Sequence, residues 1–116
     1  MSNDISYKEI IEDVLIKRKL YRNPDFSAGK LAEMLGVPNY KVSRILQSEF
    51  GASYADLVLS RRVEDAKRAL VDGRYSPYTV DDIGVMVGFK NRQSFYDAFR
   101  KYAGTTPDAF RKGNSL

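Results

Sequence analysis

A chain of 116 residues, of which 43% are hydrophobic and 29% charged, has room for one or two small domains and lacks the composition of a disordered protein. The absence of cysteine and histidine excludes disulfides, thiolate zinc sites, cysteine nucleophiles and histidine acid–base catalysis. The 19 basic and 15 acidic residues give a net charge of +4, which is compatible with binding a polyanion but does not prove it.

Helix signals begin at the N-terminus. Ser6 and Glu9 have the spacing of a capping box, which predicts a helix from there to about Lys19, before the break at Asn23-Pro24. Its apolar face comprises Tyr7, Ile10, Ile11, Val14 and Leu15. That three- and four-residue spacing is typical of an amphipathic helix.

Two further helices follow, and each ends at a glycine. Ser27 can cap the first, a short helix that stops at Gly36, and Pro38 suits the start of the second, which stops at Gly51. Their apolar positions are Leu31, Ala32, Met34 and Leu35 in the first, and Val42, Ile45, Leu46 and Phe50 in the second.

The longest helix and three shorter ones complete the chain. Residues 53–72 open with a capping-box spacing and predict the longest helix. Further capping residues predict helices over residues 79–88, 91–104 and 106–110. Because no segment of useful length alternates with period two, the predicted fold class is all-α with seven helices.

An internal repeat organises these helices. The segment LAEMLGV (31–37) aligns with IGVMVGF (83–89) at an offset of 52, and PNYKVSRIL (38–46) aligns with NRQSFYDAF (91–99) at an offset of 53. Each copy combines a short helix, a turn with glycine and a longer amphipathic helix, which is the outline of a helix-turn-helix.

The repeat predicts three segments along the chain. A first helix-turn-helix subdomain covers residues 1–52, a linker helix residues 53–73, and a second subdomain residues 74–116. A linker of about 20 residues is roughly 30 Å long, close to the roughly 34 Å between successive major-groove segments on one face of B-DNA. One chain could therefore place both second helices in neighbouring grooves.

Helical periodicity separates core residues from candidate contact residues on the longer helix of each copy. The predicted inward positions are Val42, Ile45 and Leu46 in the first copy and Phe95, Ala98, Phe99 and Tyr102 in the second. The predicted outward positions are Asn39, Tyr40, Ser43, Arg44 and Gln47, and then Arg92, Gln93, Tyr96, Asp97 and Arg100. With Phe89 in the turn, most aromatic rings are expected to form a core rather than a platform for stacked bases.

The outward side chains suit the major groove of double-stranded DNA. Arg44 and Arg92 can each donate two hydrogen bonds to guanine O6 and N7, and Gln93 can pair with adenine N6 and N7. Tyr40 offers its ring to a thymine methyl and its hydroxyl to a phosphate. Backbone amides at the helix starts, around Asn39 and Arg92, suit a phosphate oxygen.

Two stretches carry a more specific pattern, FSAGKLAEMLGVPNYKVSRILQSEFGASYADLVLSRRVEDAKRAL and TVDDIGVMVGFKNRQSFYDAFRKYAGTTPDAFR. Through them the chain resembles the DNA-binding domain of AraC/XylS-type transcription regulators, from about Phe26 to Arg111. The resemblance implies two homeodomain-like helix-turn-helix subdomains joined by a long linker helix. It also implies that both recognition helices face promoter or operator DNA.

The resemblance further implies which residues contact DNA. The implied base contacts are Tyr40, Ser43 and Arg44 in the first copy and Arg92, Gln93 and Asp97 in the second. The candidate phosphate contacts are Asn39, Lys41, Gln47, Arg61, Lys90, Tyr96 and Arg100. Arg62 either braces the two subdomains or touches DNA.

Asp97 departs from the basic residue that some family members carry at this position. The repeat aligns it with Arg44. A carboxylate is repelled by phosphates, although it can accept a hydrogen bond from cytosine N4. Alternatively, Asp97 pairs with Arg92 or Arg100 and holds that arginine.

These observations favour a sequence-specific DNA-binding transcription regulator over a helical protein-interaction module that does not bind DNA. An enzyme hypothesis rests on pairs such as Asp81-Asp82, which are better explained as first-turn acids favoured by the helix dipole. We therefore expect no catalysis, no cofactor and no metal. RNA polymerase is a candidate partner, and homodimerisation would require a domain absent from this chain.

No apolar run approaches the roughly 18 residues of a membrane span, and the polar N-terminus has no signal-peptide segment. We therefore expect a cytoplasmic protein without membrane contact. Family members commonly carry a separate effector-binding or dimerising domain, for which the residues before Phe26 leave no room. The chain is either a stand-alone regulator or a fragment, and the second is favoured because nothing in it could sense a ligand.

Overall fold

The computed structural model describes residues Ser6 to Asn114, and within that range it contains seven α-helices and no strand. The helices are α1 (Tyr7–Ile11), α2 (Ala28–Leu35), α3 (Asn39–Phe50), α4 (Tyr54–Val71), α5 (Val80–Met86), α6 (Arg92–Ala103) and α7 (Pro107–Gly113). The prediction of an all-α fold with seven helices is confirmed.

Capping residues start these helices as their spacing predicts. The side chains of Ser27 and Asn91 each accept a hydrogen bond from the backbone N–H three residues on, at 3.2 and 2.8 Å. Thr79 and Asp82 form a complete capping box, with both hydrogen bonds at 3.0 Å. Such bonds satisfy amides that a helix start otherwise leaves unpaired, which is why the sequence locates these starts well.

The first helix departs from its prediction. α1 ends at Ile11, and Glu12–Lys17 continue the chain as a π-helix, whose hydrogen bonds reach one residue further back than those of an α-helix. Lys19, predicted to end a regular helix, has a left-handed φ of 58° and precedes a 3-10 turn over Leu20–Arg22. Tyr7, predicted on the apolar face, is 40% exposed.

The chain forms two compact units that divide within α4, between Leu57 and Val58. The core of the first unit consists of Ile11, Leu15, Tyr21, Leu31, Ala32, Leu35, Val42, Leu46 and Leu57. Met34, predicted on the apolar side of its helix, is 48% exposed because it falls outside the buried stripe of α2. The division into three segments, with a separate linker, stays a prediction.

The second unit has an aromatic core. Its buried residues include Val63, Ala66, Leu70, Ile83, Val87, Phe89, Phe95, Tyr96, Ala98 and Phe99. The ring centroid of Phe95 lies 5.2 Å from that of Phe89 and 5.9 Å from that of Phe99. The prediction that these three rings form a core is therefore confirmed.

α5 approaches α6 closely at Gly84. A Cβ at this position would lie 2.5 Å from Cδ2 of Phe95, which is shorter than a van der Waals contact. The Phe95 ring is itself buried, with 1% of the residue exposed. The missing side chain therefore makes room for the buried Phe95 ring and allows α5 to pack closely against α6.

Arg111 ties the last helix to the end of α4. Its guanidinium donates hydrogen bonds to the backbone carbonyls of Leu70, Tyr75 and Tyr78, at 3.1, 3.1 and 2.7 Å. The last carbonyls of a helix have no intrahelical donor, so an arginine beside them supplies one. Arg111, which the sequence identifies only as part of a family pattern, thus holds together three parts of the second unit.

Candidate nucleic-acid interface

Each unit contains one helix-turn-helix, formed by α2 and α3 in the first unit and by α5 and α6 in the second. The turns pass through Gly36 and Gly88, whose φ angles of 69° and 116° lie in the region that favours glycine. In both motifs the longer helix buries one face and exposes the other, and the exposed faces of α3 and α6 carry most of the predicted contact residues.

The exposed face of α3 carries a cation and an aromatic ring side by side. Its predicted contact residues, all exposed, are Asn39, Tyr40, Lys41, Ser43, Arg44 and Gln47. The Arg44 guanidinium lies 5.7 Å from the centroid of the Tyr40 ring. Within residues 6–114, no carboxylate forms an ion pair with Arg44, so its donors are available to an external partner.

The exposed face of α6 begins with an arginine that already has an acidic partner. Nη1 of Arg92 donates to both carboxylate oxygens of Asp81, on α5, at 3.0 and 3.1 Å. This hydrogen bond and the charge of Asp81 raise the pKa of Arg92 above its ordinary value. Arg92 is therefore a cation held at one end and exposed at the other, with a side chain that is 63% exposed.

Asp97 is engaged by a neighbour on its own helix. One of its carboxylate oxygens accepts a hydrogen bond from Nε2 of Gln93 at 2.8 Å. Its pairing with Arg92 or Arg100 is not realised, because Arg92 is bound to Asp81, and no arginine in the described part of the chain forms an ion pair with Asp97. The carboxylate nevertheless remains on the exposed face.

Tyr96 requires a correction, because it does not lie on the exposed face. The residue is only 8% exposed, and its hydroxyl donates a hydrogen bond to the carboxylate of Asp108 on α7. Burial, followed by this hydrogen bond, raises the pKa of Tyr96 to about 12. A hydroxyl that is buried and already bonded is not placed for a phosphate, whereas the ring lies beneath Arg92 with 4.4 Å between the centroid and Cζ.

The remaining predicted phosphate contacts, Arg61, Lys90 and Arg100, are all exposed. Arg62 is half-buried, and its guanidinium lies 5.5 Å from the centroid of the Phe89 ring. Arg62 therefore packs on the turn of the second motif, within the second unit.

The sequence does not reveal the acidic partners of α6. Asp81 reads as a helix-start acid and Asp108 stands beside a capping signal, yet they contact residues 11 and 12 positions away along the chain. Contacts at such separations depend on how helices pack. The Gln93–Asp97 bond, in contrast, has the four-residue spacing of neighbours on a helix surface and could be anticipated.

Between Ser6 and Asn114, no group of three or more acidic side chains is placed to hold a metal ion. No helix in that range is long and apolar enough to span a bilayer.

A family model described as a helix-turn-helix domain matches residues 31–113. Among curated proteins, the probable transcription factor PqrA of Proteus vulgaris is 26% identical over 111 residues, covering 94% of this chain and 88% of that protein. The uncharacterized HTH-type transcriptional regulator YtdP of Bacillus subtilis is 30% identical over 110 residues, which is 94% of this chain but only 14% of that protein.

Solved structures share the fold along most of the chain. The C-terminal domain of the two-component response regulator yesN from Fusobacterium nucleatum superposes with a TM-score of 0.78 at 29% identity, covering 90% of this chain and 96% of that one. The DNA-binding domain of the global transcriptional factor AdpA, solved in complex with a target DNA, has a TM-score of 0.81 at 22% identity and covers 94% of this chain and 93% of that one.

Proposed function

The chain belongs to the AraC-type helix-turn-helix family of DNA-binding transcription regulators, and from that premise we propose that it reads promoter or operator DNA with both motifs. In this proposal α3 and α6 enter two successive major-groove segments of one site. The observation that carries it is the repeated arrangement, in one chain, of a longer helix with a buried apolar face and an exposed face rich in hydrogen-bonding side chains.

The first motif contributes base contacts from Tyr40, Ser43 and Arg44. Arg44 can present its guanidinium to guanine O6 and N7, because no acidic side chain in the described range occupies its donors. The adjacent Tyr40 ring is 65% exposed and suits apolar contact with a thymine methyl. Ser43 lies one turn beyond the start of the helix on the same exposed side.

The second motif contributes base contacts from Arg92, Gln93 and Asp97. Arg92 is the first residue of α6 and Gln93 the second, and residues at the start of a recognition helix are those that reach base edges. Asp97 faces solvent one turn later, bound to Gln93. In the complex Gln93 can leave Asp97 for an adenine, or Asp97 can accept from cytosine N4.

Exposed polar and basic residues around the two helices contribute phosphate contacts. The proposed set is Asn39, Lys41, Gln47, Arg61, Lys90 and Arg100, all exposed. Contacts of this kind position a protein on the duplex and make its affinity depend on salt, without specifying sequence.

A competition binding assay with the full chain tests the proposal. A duplex selected from a random pool should be bound more tightly than unrelated DNA, with an affinity that falls steeply as salt rises. Arg44→Ala should lower the affinity for the selected duplex about 5- to 150-fold, equivalent to about 1–3 kcal/mol for one bidentate base contact.

Arg18→Ala is a suitable control, because Arg18 is an exposed arginine of the first unit that pairs with Asp13 and lies outside α3. It removes the same charge and should change affinity by no more than about twofold. Absent or salt-insensitive binding to every duplex would contradict the proposal and favour a protein-interaction module.

RNA polymerase and homodimerisation through a domain outside this chain are predictions from the family resemblance, and we assign no residue to either. We propose that the protein acts on DNA in the cytoplasm without catalysing a reaction.

A further inference from the structure

Four side chains from three helices of the second unit form one connected network. The network comprises Asp81 on α5, Arg92 and Tyr96 on α6, and Asp108 on α7. Only Arg92 belongs to the proposed base contacts. Asp81 and Tyr96 contact it directly, and Asp108 holds Tyr96, at the end of α6 that is proposed to meet the bases.

Asp81 occupies one nitrogen of the guanidinium and leaves the others available. Nη1 of Arg92 makes both hydrogen bonds to Asp81, whereas Nε and Nη2 have no hydrogen-bond partner among residues 6–114. The N–H groups of Nε and Nη2 point in the same direction, as a bidentate pair with two acceptors requires. Guanine presents two such acceptors, O6 and N7, in the major groove.

The Tyr96 ring supports the flat side of the guanidinium. Cζ of Arg92 lies 4.4 Å from the ring centroid, a distance typical of a cation–π contact. The ring is itself fixed, because its hydroxyl donates to Asp108 and it meets Phe95 edge-on, with 5.8 Å between centroids. Because Asp81 binds one edge of the guanidinium and Tyr96 supports its face, the Arg92 side chain loses less rotamer entropy when it binds a base.

The first motif lacks the whole network. At the repeat offsets of 52 and 53, the positions equivalent to its four members carry Gly29, Asn39, Ser43 and Ala55. None of these side chains is charged. Because the first motif folds without these groups, the network is not a requirement of the helix-turn-helix backbone and calls for another explanation.

We propose that Asp81 is a positioning residue that makes Arg92 the selectivity-determining residue of the second motif. This inference rests on the proposed function, since Arg92 needs a bound duplex in order to read a base. While Asp81 and Tyr96 hold the guanidinium, Nε and Nη2 donate hydrogen bonds to guanine O6 and N7, and bases that lack two such acceptors are bound less tightly. Because the Arg92–Asp81 pair is nearly neutral, its contribution is discrimination between sequences rather than attraction to phosphates.

The test measures discrimination at one base pair with the full chain. Selection from a random pool identifies the base pair whose preference disappears in Arg92→Ala. Dissociation constants are then measured for the matched duplex and for the same duplex altered at that pair. Discrimination is the dissociation constant for the altered duplex divided by that for the matched duplex. We expect Asp81→Asn to lower this ratio about fivefold or more, toward the ratio measured for Arg92→Ala.

Asp82→Asn provides the charge-matched control. Asp82 lies next to Asp81 and caps α5, but its carboxylate bonds to the Thr79 backbone rather than to Arg92. Both variants remove one negative charge near the DNA, so both should bind the altered duplex somewhat more tightly. Only Asp81→Asn should lower discrimination, and Tyr96→Phe should lower it less, because the phenylalanine ring still supports the guanidinium.

The outcomes separate this inference from the proposed function. If selective binding is present and Arg92→Ala loses a base preference that Asp81→Asn retains in full, Asp81 does not position Arg92 and the inference fails alone. If Arg92→Ala loses no preference although binding is selective, the inference fails together with the proposed base contact by Arg92, whereas DNA binding by the chain is not contradicted. If no duplex is preferred by the unaltered protein, the proposed function fails and the inference with it.

Discussion

The two helix-turn-helix motifs share a plan but differ in what surrounds their exposed helices. On α3, Arg44 lies beside Tyr40 with no carboxylate bound to it in the described chain. Around α6, acidic side chains bind Arg92, Gln93 and Tyr96 in turn. One scaffold therefore presents an arginine beside an aromatic ring in the first motif and an arginine bound to a carboxylate in the second.

The cores differ in a corresponding way. Ala32 and Val42 of the first motif align with Gly84 and Phe95 of the second, and Ala32, Val42 and Phe95 are each 1% exposed. A large aromatic ring in the second core is thus accompanied by the loss of a methyl group on the facing helix. A smaller residue on the first helix thus accompanies a larger residue on the second, and both motifs keep the same order of helices.

The largest expected effect is on the core of the second motif. Phe95→Ala should lower the free energy of unfolding by about 3–5 kcal/mol, because it removes a buried ring that contacts Phe89 and Phe99. The aligned change Val42→Ala removes two methyl groups and should cost only about 2 kcal/mol. Urea unfolding followed by circular dichroism measures both, and equal losses would contradict the difference between the cores.

A smaller loss is expected when the close approach of α5 to α6 is blocked. Gly84→Ala places a methyl group against the Phe95 ring and should cost about 1–3 kcal/mol in unfolding free energy. Gly29→Ala is the control, because Gly29 also lies in a helix, α2, but the nearest atom to a Cβ there would be 3.7 Å away. It should be neutral or stabilise by up to about 1 kcal/mol, since alanine favours helix more than glycine does. Urea unfolding measures both variants. If Gly84→Ala lowered the free energy of unfolding no more than Gly29→Ala does, the close packing of α5 on Phe95 would be contradicted.

The hydroxyl of Tyr96 should matter at neutral pH and less in alkali. Tyr96→Phe removes its hydrogen bond to Asp108 and should lower the free energy of unfolding by about 1 kcal/mol at pH 7. Because the pKa is about 12 in the folded protein and about 10 in an unfolded chain, this stabilisation is complete below pH 10 and is lost as pH rises toward 12. The difference between the two proteins should shrink over that window.

The control for Tyr96 is Tyr40→Phe, the same chemical change on a ring that is 65% exposed. Its unfolding free energy should match that of the unaltered protein throughout. A constant difference between Tyr96→Phe and the unaltered protein from pH 7 to pH 12 would contradict the assigned role of the hydroxyl.

The smallest expected effect concerns the aligned position at which the exposed face of α3 carries Arg44 and that of α6 carries Asp97. Asp97→Asn keeps an oxygen for Gln93 but removes the negative charge that aligns with Arg44 in the repeat. Affinity for unrelated DNA, which offers no base matched to Asp97, should rise about threefold at low salt and converge with that of the unaltered protein at high salt. Asp13→Asn, which removes an acid paired with Arg18 outside the recognition helices, should have a smaller effect. An unchanged or lower affinity of Asp97→Asn for unrelated DNA would contradict this effect of the charge.

The sequence predicts those features that depend on neighbours along the chain. Ser27, Thr79 and Asn91 mark helix starts because a cap bonds to an amide three residues on. The burial of Tyr96 was not predictable, because its position at the edge of the apolar stripe suits either environment until α7 places Asp108 beside it. The contact between Asp81 and Arg92 was not predictable either, because an acidic residue in the first turn of a helix is already explained by the helix dipole.

The central claim is that both motifs of one chain read DNA, and sequence selection with matched variants tests it most directly. The unaltered protein, Arg44→Ala and Arg92→Ala are each used to select duplexes from the same random pool. Two clusters of base preference should emerge about 10 base pairs apart, one lost in Arg44→Ala and the other in Arg92→Ala. A single cluster, or the loss of the same cluster in both variants, would contradict the account.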